Sequence, residues 1–371
     1  MGPTDGARLV RPPVEKQRFD SDLGSDIVSG MRRMLVVRVA WLVVGLTLMP
    51  HATARAGEGS KFSVGGLLFG DLYYVPSHHL EDGDGAAGLV LRRGYLTFDA
   101  DFSEKLFGRL RFEVNQSGEF ETYTFDADFK DLYLGWNLGR HRLLVGLSPT
   151  PTFDLIESIW GFRYLARTPM DLQGVASRDT GVSAKGPLNS SGTLSYRAMV
   201  GAGTNFGNET GDGRKWMGAL TWKPAARWTV DLYADLEILP GPTDRSTLQA
   251  YVGYETDGFR WGAQYSYQDR QEDPTLELAS AFVIGRVGKK TTLVGRVDRL
   301  FQPSPAGDNI SYLPFAPSAP ATFFIAGVEF QINPHLKITP NTVVTTYDFN
   351  DEGVRPKTDV YLRLTFFLNL E

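Results

Sequence analysis

The chain lacks several features that mark other classes of protein. It has no cysteine among its 371 residues, which excludes disulfide scaffolds, thiolate metal sites and cysteine nucleophiles. No apolar run reaches the roughly 18 residues of a membrane-spanning helix. Its 38 basic and 43 acidic side chains give a net charge of -5, so it has no basic excess for binding nucleic acid. Its 40 glycines and 12% aromatic residues are typical of a large soluble β protein or a transmembrane β-barrel.

The amino-terminal part, residues 1–56, predicts an upstream extension followed by a cleaved signal peptide at about 31–56. The signal has three parts, which are a positive start at Arg32 and Arg33, an apolar stretch from Val39 to Met49, and a small-x-small site at Ala54 to Ala56. An anchor helix is the alternative, but the apolar stretch is too short to span a bilayer. Residues 57–371 are then expected to form a single outer-membrane domain.

After the signal, polarity alternates along segments of about ten residues. The last segment shows the pattern most clearly, because every second residue from Val360 to Leu370 is a large apolar one. Its other face carries Asp359, Arg363 and Thr365. A strand that shows lipid one face and water the other needs this alternation. Charged residues rarely fit a packed core, so the polar face indicates a hydrated interior.

Sixteen such segments occur, and every second connection between them is tight. The segments begin near residues 62, 89, 106, 126, 141, 178, 192, 214, 227, 245, 258, 277, 290, 322, 336 and 358. Outer-membrane barrels have an even strand count, short periplasmic turns and long external loops. The sequence therefore predicts an all-β fold, a transmembrane antiparallel β-barrel of about 16 strands.

The third long connection, residues 149–177, is the longest and is too apolar to extend into water. Leu155, Ile159 and Phe162 recur at helical spacing, and Thr152 is placed to cap the first turn. We expect this loop to fold inward against the barrel wall and to narrow the channel. The predicted constriction residues are Arg163, Arg167, Arg178, Asp154 and Glu157. Two roles remain open for the arginines: they attract anions in the pore, or they pair with Asp154, Glu157, Asp171 or Asp179 and fix the loop.

Four stretches resemble the phosphate-selective porin O and P family of Gram-negative outer membranes. They are Leu91–Leu96 (LRRGYL), Asp131–Leu134 (DLYL), Val145–Leu147 (VGL) before the proline-rich loop, and Arg178–Val182 (RDTGV). The likeness extends over about residues 90–187. It implies a sixteen-stranded, usually trimeric channel in which arginines and lysines near the constriction select anions. The third loop of this chain has no lysine, so we expect a general or weakly selective porin.

Within that resemblance, one group of charged residues is expected to line the lumen. They are Arg93, Arg109, Arg111, Glu113, Arg197, Arg260, Arg296 and Arg363. Acidic residues such as Asp99, Asp231 and Glu329 are expected beside them. The expected partners are outer-membrane lipid, small hydrophilic solutes or anions such as phosphate, and two further copies in a homotrimer. No cofactor, metal or nucleic acid is expected.

Two other classes of function remain to be weighed. An outer-membrane hydrolase needs a nucleophile, a base and an orienting group, and no such constellation is evident, so we do not expect an enzyme. The pair His78 and His79 precedes acidic residues, which indicates either a divalent-cation site or a solvated acidic loop. A binding or adhesion barrel would instead use external loops such as 302–321 as its active surface.

Overall fold

The computed structural model describes residues 60–117, 124–175, 177–203, 214–239, 243–271 and 274–370. The predicted signal peptide and the extension before it lie outside the described residues, and both stay predictions. The described part of the chain consists mainly of long antiparallel strands joined by turns and loops.

Sixteen strands follow one another along the chain. They are β1 (Lys61–Ser77), β2 (Ala87–Asp101), β3 (Leu106–Ser117), β4 (Thr124–Leu138), β5 (His141–Pro149), β6 (Arg178–Pro187), β7 (Leu194–Gly201), β8 (Arg214–Trp222), β9 (Trp228–Ile238), β10 (Arg245–Glu255), β11 (Phe259–Asp269), β12 (Leu276–Arg286), β13 (Thr291–Leu300), β14 (Ala321–Gln331), β15 (Leu336–Tyr347) and β16 (Asp359–Asn369). Each predicted segment begins within two residues of an observed strand. The predicted strand count is therefore confirmed.

The sheet closes on itself. Each strand pairs with its neighbours in sequence, and β1 pairs with β16, where Leu67 lies opposite Asn369. A closed sheet leaves no unpaired edge, so every strand has two partners for its backbone groups. The fold is the closed antiparallel barrel that the alternating polarity predicts.

The outer and inner faces of the barrel wall differ in polarity. In β9, Leu232 points outward and is 56% exposed, whereas its neighbour Asp231 points inward and is 1% exposed. In β10, Leu248 is 64% exposed and Thr247 is 1% exposed. This is the reverse of a soluble protein, in which large apolar side chains are the ones most often buried.

Pro340 lies in the middle of β15, where a proline normally disrupts a strand. It is exposed on the outer face and pairs with Leu364 of β16, so the ladder continues on that side. On the other side, the pairing with β14 stops at Asn341 and resumes at Ile338. The backbone position that lacks an N–H donor therefore faces β14, and the interruption is confined to the pairing of β14 with β15.

The connections at the two ends of the barrel differ in length. At one end, the seven turns have two to six residues; at the other, the connections have six to twenty-eight. The long connections used below are L1 (78–86), L3 (150–177), L7 (301–320) and L8 (348–358). L3 contains two short helices, α1 (Asp154–Trp160) and α2 (Pro169–Leu172). Among the described residues, no helix combines the length and the apolar character needed to cross a bilayer.

The main apolar cluster lies inside the barrel, where L3 and L7 pack against the inner wall. It combines Trp160 and Leu165 of L3 with Leu313 and Phe315 of L7. Wall residues of the cluster come from several strands, for example Phe323, Val343 and Tyr361. Both loops are therefore fixed parts of the interior, and they decide which groups face the remaining space.

Candidate functional site

The third long loop, L3, folds into the barrel as predicted, but its helix differs in detail. The N-cap of α1 is Phe153, without a side-chain cap, so the prediction that Thr152 caps the helix is wrong. The helix buries Ile156 and Trp160, whereas the predicted Leu155 and Ile159 are only half-buried. Helix α1 lies against β10 and β11, and the apolar spacing alone does not determine which of its residues meet that wall.

Arginines from four strands hold the backbone of L3 through its carbonyl groups. Arg197 Nε donates to the Pro151 carbonyl (3.0 Å), Arg260 Nη2 to the Trp160 carbonyl (3.3 Å) and Arg296 Nη1 to the Arg167 carbonyl (2.6 Å). Arg92 donates to the carbonyls of Tyr164 and Leu165. All four arginines project from the inner wall, and their hydrogen bonds to the loop carbonyls hold L3 in place.

Arg92 is a functional residue that strict alternation misses. Because Arg92 and Arg93 are adjacent, a regular strand would point one of them outward. A β-bulge shifts the register between Phe69 and Asp71, and Arg92 is buried beside Asp71, with Nε 2.7 Å from a carboxylate oxygen. Gly70 permits this close approach, since a Cβ at Gly70 would lie 2.2 Å from the Val90 carbonyl oxygen. Bulges commonly redirect a side chain in this way.

The other predicted lumen residues lie on the inner wall in ion pairs. Arg93 is 2.8 Å from Glu113, which also lies 3.1 Å from Lys130. Other pairs are Arg109 with Asp99 (2.7 Å), Arg111 with Asp131 (3.4 Å), Arg197 with Asp231 (2.9 Å), Arg363 with Asp71 (3.9 Å) and Arg296 with Asp298. These arginines therefore form a wall of neutralised pairs rather than a continuous positive ladder.

The predicted constriction residues of L3 and its flank differ in their contacts. Arg163 pairs with Glu157 (3.4 Å) and Asp171 (2.5 Å), and Arg178 pairs with Asp131 of β4 (2.6 Å). Burial alone raises the pKa of Asp171, but the charges of Arg163 and Arg167 outweigh it and lower that pKa below its usual value. The contacts of Arg163 match the role of fixing the loop, whereas Arg178 pairs with a wall carboxylate that was not among its predicted partners. Asp154 pairs outside this group, with Lys185 of β6 (3.3 Å).

Arg167 differs from the other arginines of L3. Within the described residues, its guanidinium has neither a hydrogen bond nor an ion pair, although Asp171 lies near enough to interact electrostatically. Burial lowers its pKa to about 10, so it stays charged at neutral pH. Its charge also interacts with those of Arg93 and Arg163. Arg167 is therefore the uncommitted positive group of the constriction.

Aromatic contacts fix the rest of L3. The ring of Trp160 meets that of Phe282 at 5.3 Å between centroids, edge to face. The ring of Tyr164 packs on Phe367 at 4.7 Å, and its hydroxyl donates to Glu329 of β14. L3 consequently contacts wall strands on the side of the barrel opposite to the strands from which it leaves.

L7 also lies inside the barrel, which the sequence did not indicate. Leu313 and Phe315 are buried in the interior cluster. The Tyr312 hydroxyl donates to the carbonyls of Gln116 and Arg92 (2.9 Å to the latter), and Arg363 donates to the Tyr312 carbonyl (2.7 Å). Most of this loop is therefore not available as a free external surface. The mostly apolar stretch from Ile310 to Ala316 is the sequence feature that could have indicated this burial.

The two adjacent histidines, His78 and His79, are not part of a solvated acidic loop. Both lie close to Asp359 of β16, and the three offer ligand atoms within 4.8 Å of one another. Glu81 and Asp82 remain exposed. Two further histidines of the described residues, His141 and His335, lie at the end with short turns.

Comparisons with known proteins give structural matches only. No family model matches the chain, and no curated protein matches it. Its structure is similar to an anion-selective porin from Comamonas acidovorans, with a TM-score of 0.62 and 12% identity, covering 84% of this chain and 100% of the other. It is also similar to the outer membrane channel DcaP of Acinetobacter baumannii, with a TM-score of 0.62 and 12% identity over 84% and 98% of the two chains.

A third similar structure is the trimer form of OmpT, an outer membrane protein of Vibrio cholerae, with a TM-score of 0.54 and 12% identity over 84% and 100% of the two chains. At these identities, the likeness shows the fold. The narrower resemblance to the phosphate-selective porin O and P family stays a prediction. The chain is therefore similar in fold to the outer-membrane porins.

Proposed function

We propose that this protein is an outer-membrane porin through which small hydrophilic solutes diffuse passively. The observation that carries the proposal is the reversed polarity of the closed barrel, whose exposed outer face is apolar and whose inner face is charged. Such a wall is stable only where the outside is lipid and the inside is water. The role is that of a channel rather than an enzyme, with export through the predicted signal peptide.

Aromatic residues on the outer face support a membrane location. Trp222, Trp228, Trp261 and Tyr254 lie near the end with short turns, and the ring of Trp228 meets those of Tyr254 (5.2 Å) and Trp261 (5.8 Å). Such rings are enriched at membrane interfaces. Tyr95 does not belong to this group, because it lies beside Arg93 and Arg111.

The proposed selectivity is a weak preference for anions, phosphate among them. Most inner-wall arginines are neutralised by carboxylates, so they contribute little net field. Arg167 has no such partner among the described residues and is placed to attract an anion. An assembly of three copies is part of the proposal, since a similar barrel is known in trimer form.

The test is ion selectivity in planar bilayers. We expect the purified protein to give stepwise ohmic conductance, which a plugged adhesion barrel would not give. Replacing Arg167 by Gln should shift the reversal potential toward cation selectivity. A unit charge acts on an ion 4 Å away with about 1 kcal/mol in a water-like medium, so the permeability ratio should change by roughly fivefold or less.

Arg355 provides the control, because it is an exposed arginine of L8 outside the barrel interior. Replacing it by Gln should leave the reversal potential where it is. Equal shifts for Arg167→Gln and Arg355→Gln would contradict a selectivity site at Arg167. Complete absence of conductance would contradict the porin itself.

A further inference from the structure

The histidine pair of L1 lies where three parts of the molecule meet. His78 and His79 follow the end of β1, Asp359 is the first residue of β16, and Asp308 lies in a short 3-10 turn of L7 (Gly307–Asn309). Asp308 is thus the link between this cluster and the loop that packs inside the barrel. The channel function proposed above does not use any of these residues.

His79 has a carboxylate on each side of its ring. Nδ1 lies 2.9 and 2.8 Å from the two oxygens of Asp359, and Nε2 lies 3.0 Å from an oxygen of Asp308. A neutral imidazole has one donor and one acceptor nitrogen, whereas an ionised carboxylate only accepts. A neutral ring would turn a lone pair toward one of the carboxylates. The geometry therefore fits the doubly protonated, positively charged ring.

His78 argues for a proton rather than a metal ion in this cluster. The Leu80 N–H donates to His78 Nδ1 (2.9 Å), so the hydrogen of the neutral ring is on Nε2, where Tyr361 Oη lies at 2.8 Å. A ligating histidine usually donates through its other nitrogen, and here that nitrogen accepts. In addition, the rings of His78 and His79 stack at 4.4 Å with an interplanar angle of 27°, so their in-plane lone pairs do not converge on one point.

Charged and titratable groups surround His79 on each neighbouring element. Besides Asp359 and Asp308, they are Tyr347 of β15, whose hydroxyl donates to Asp359, the stacked ring of His78, and the exposed pair of Asp84 in L1 and Lys357 in L8. Burial alone would lower the pKa of His79, but the hydrogen bonds to Asp359 and Asp308 raise it above its ordinary value. Burial lowers the pKa of His78, which favours its neutral form.

We propose that protonated His79 fastens L7 inside the barrel, and that its deprotonation releases the end of L7 that carries Asp308. When the ring is neutral, both ion pairs are lost; one carboxylate keeps a hydrogen bond from the remaining N–H, and the other faces a lone pair. Asp359 is buried in the wall, whereas the Asp308 side chain is 40% exposed, so Asp308 is the partner that can move into water. The apolar part of L7 stays packed, and the change is confined to the 3-10 turn.

The direction of the pH effect follows from the raised pKa. A group whose pKa is higher in the fastened state stabilises that state fully at low pH and loses this contribution as the pH rises through the raised pKa. The turn should therefore be held below the ordinary pKa of histidine, about 6.5, and loosen above the raised value. Each unit of difference changes the ratio of fastened to released molecules by about tenfold.

A single spin label tests this proposal without measuring conductance, so its failure is separate from failure of the porin proposal. Because the chain has no cysteine, Asn309→Cys gives one attachment site on the exposed residue next to Asp308. Electron paramagnetic resonance of the folded full chain, from about pH 5 to about pH 9, brackets the histidine titration. We expect an immobile label at low pH and a growing mobile component at high pH.

Two variants and a control make the result specific. In the labelled background, Asp308→Asn should be mobile at every pH, and His79→Gln should show no titration. His335→Gln, at a turn on the other end, should titrate like the parent. A label whose mobility ignores pH in the parent, or still titrates in His79→Gln, would overturn the proposal. So would immobilisation at high pH by Zn²⁺ that is reversed by EDTA, because the cluster would then be a metal site.

Discussion

At the scale of single residues, the barrel interior is organised by the pairing of desolvated charge. Arg178 forms an ion pair with Asp131. Arg296 forms an ion pair with Asp298 and donates a hydrogen bond to the carbonyl of Arg167. A buried charge without a partner costs several kcal/mol, roughly 3–5 when one partner of a pair is removed. The pairs therefore fix the positions of the loops, and Arg167, whose guanidinium has no ion pair among the described residues, is the group proposed to attract a solute.

Replacing Asp131 by Asn should strongly destabilise the barrel. Asp131 is 1% exposed and lies against Arg178 and Arg111, so its neutralisation leaves two guanidinium groups with too little negative charge. We expect the free energy of unfolding to fall by roughly 3–5 kcal/mol, measured by urea titration of the barrel in lipid vesicles. Asp84→Asn, which breaks the exposed pair with Lys357, should leave the urea midpoint unchanged. Equal losses of stability in the two variants would contradict a larger contribution from the buried pair.

At the scale of elements, L3 is held as a rigid unit by a short helix and its aromatic neighbours. The helix α1 ends at Gly161 in the left-handed conformation (φ 65°), and the Gly161 N–H bonds to the Glu157 carbonyl. The indole Nε1–H of Trp160 donates to the Ala166 carbonyl (2.8 Å), which ties the end of the helix to the chain that follows it. These bonds therefore hold the shape of the loop across the interior.

Replacing Trp160 by Ala should loosen this loop. The side chain is 1% exposed and packs on Phe282 and under Arg296, so truncation leaves a cavity at a cost of roughly 3–5 kcal/mol. We expect noisier single-channel current with larger mean conductance. The half-buried Leu155, replaced by Ala, serves as the control and should keep quiet openings. A quiet Trp160→Ala channel would mean that the arginine contacts alone fix L3.

At the scale of the whole molecule, the closed sheet separates an apolar outside from a charged inside. Each strand has an apolar outer face and a charged inner face. A shift of its register by one residue would therefore turn the charged side chains into the lipid. The wall is continuous because β1 and β16 pair over their whole common length, apart from one irregularity between Tyr74 and Ser77. Closure is what allows the charged interior to coexist with a lipid exterior.

A charge placed on the outer face should cost free energy according to its depth. Replacing Leu232, near the middle of β9, by Arg should lower the free energy of unfolding by roughly 2–4 kcal/mol. Replacing Ile238, at the end of the same strand, by Arg should lower it by about 0–1 kcal/mol. Both residues are exposed on the outer face. Urea unfolding of the two variants in vesicles measures the difference. Equal losses at both positions would contradict a lipid-facing outer surface.

The sequence determined the strands and their faces, because alternation with a period of two is a local property of the chain. The inner positions of Arg93, Arg109 and Arg363 follow directly from it, and so do the strand starts. Only the tertiary structure decided the rest. The bulge brings Arg92 inward, L7 joins L3 inside the barrel, and His79 meets Asp359 across 280 residues of sequence. These contacts depend on how a closed sheet brings distant strands and loops together, and no local pattern records that.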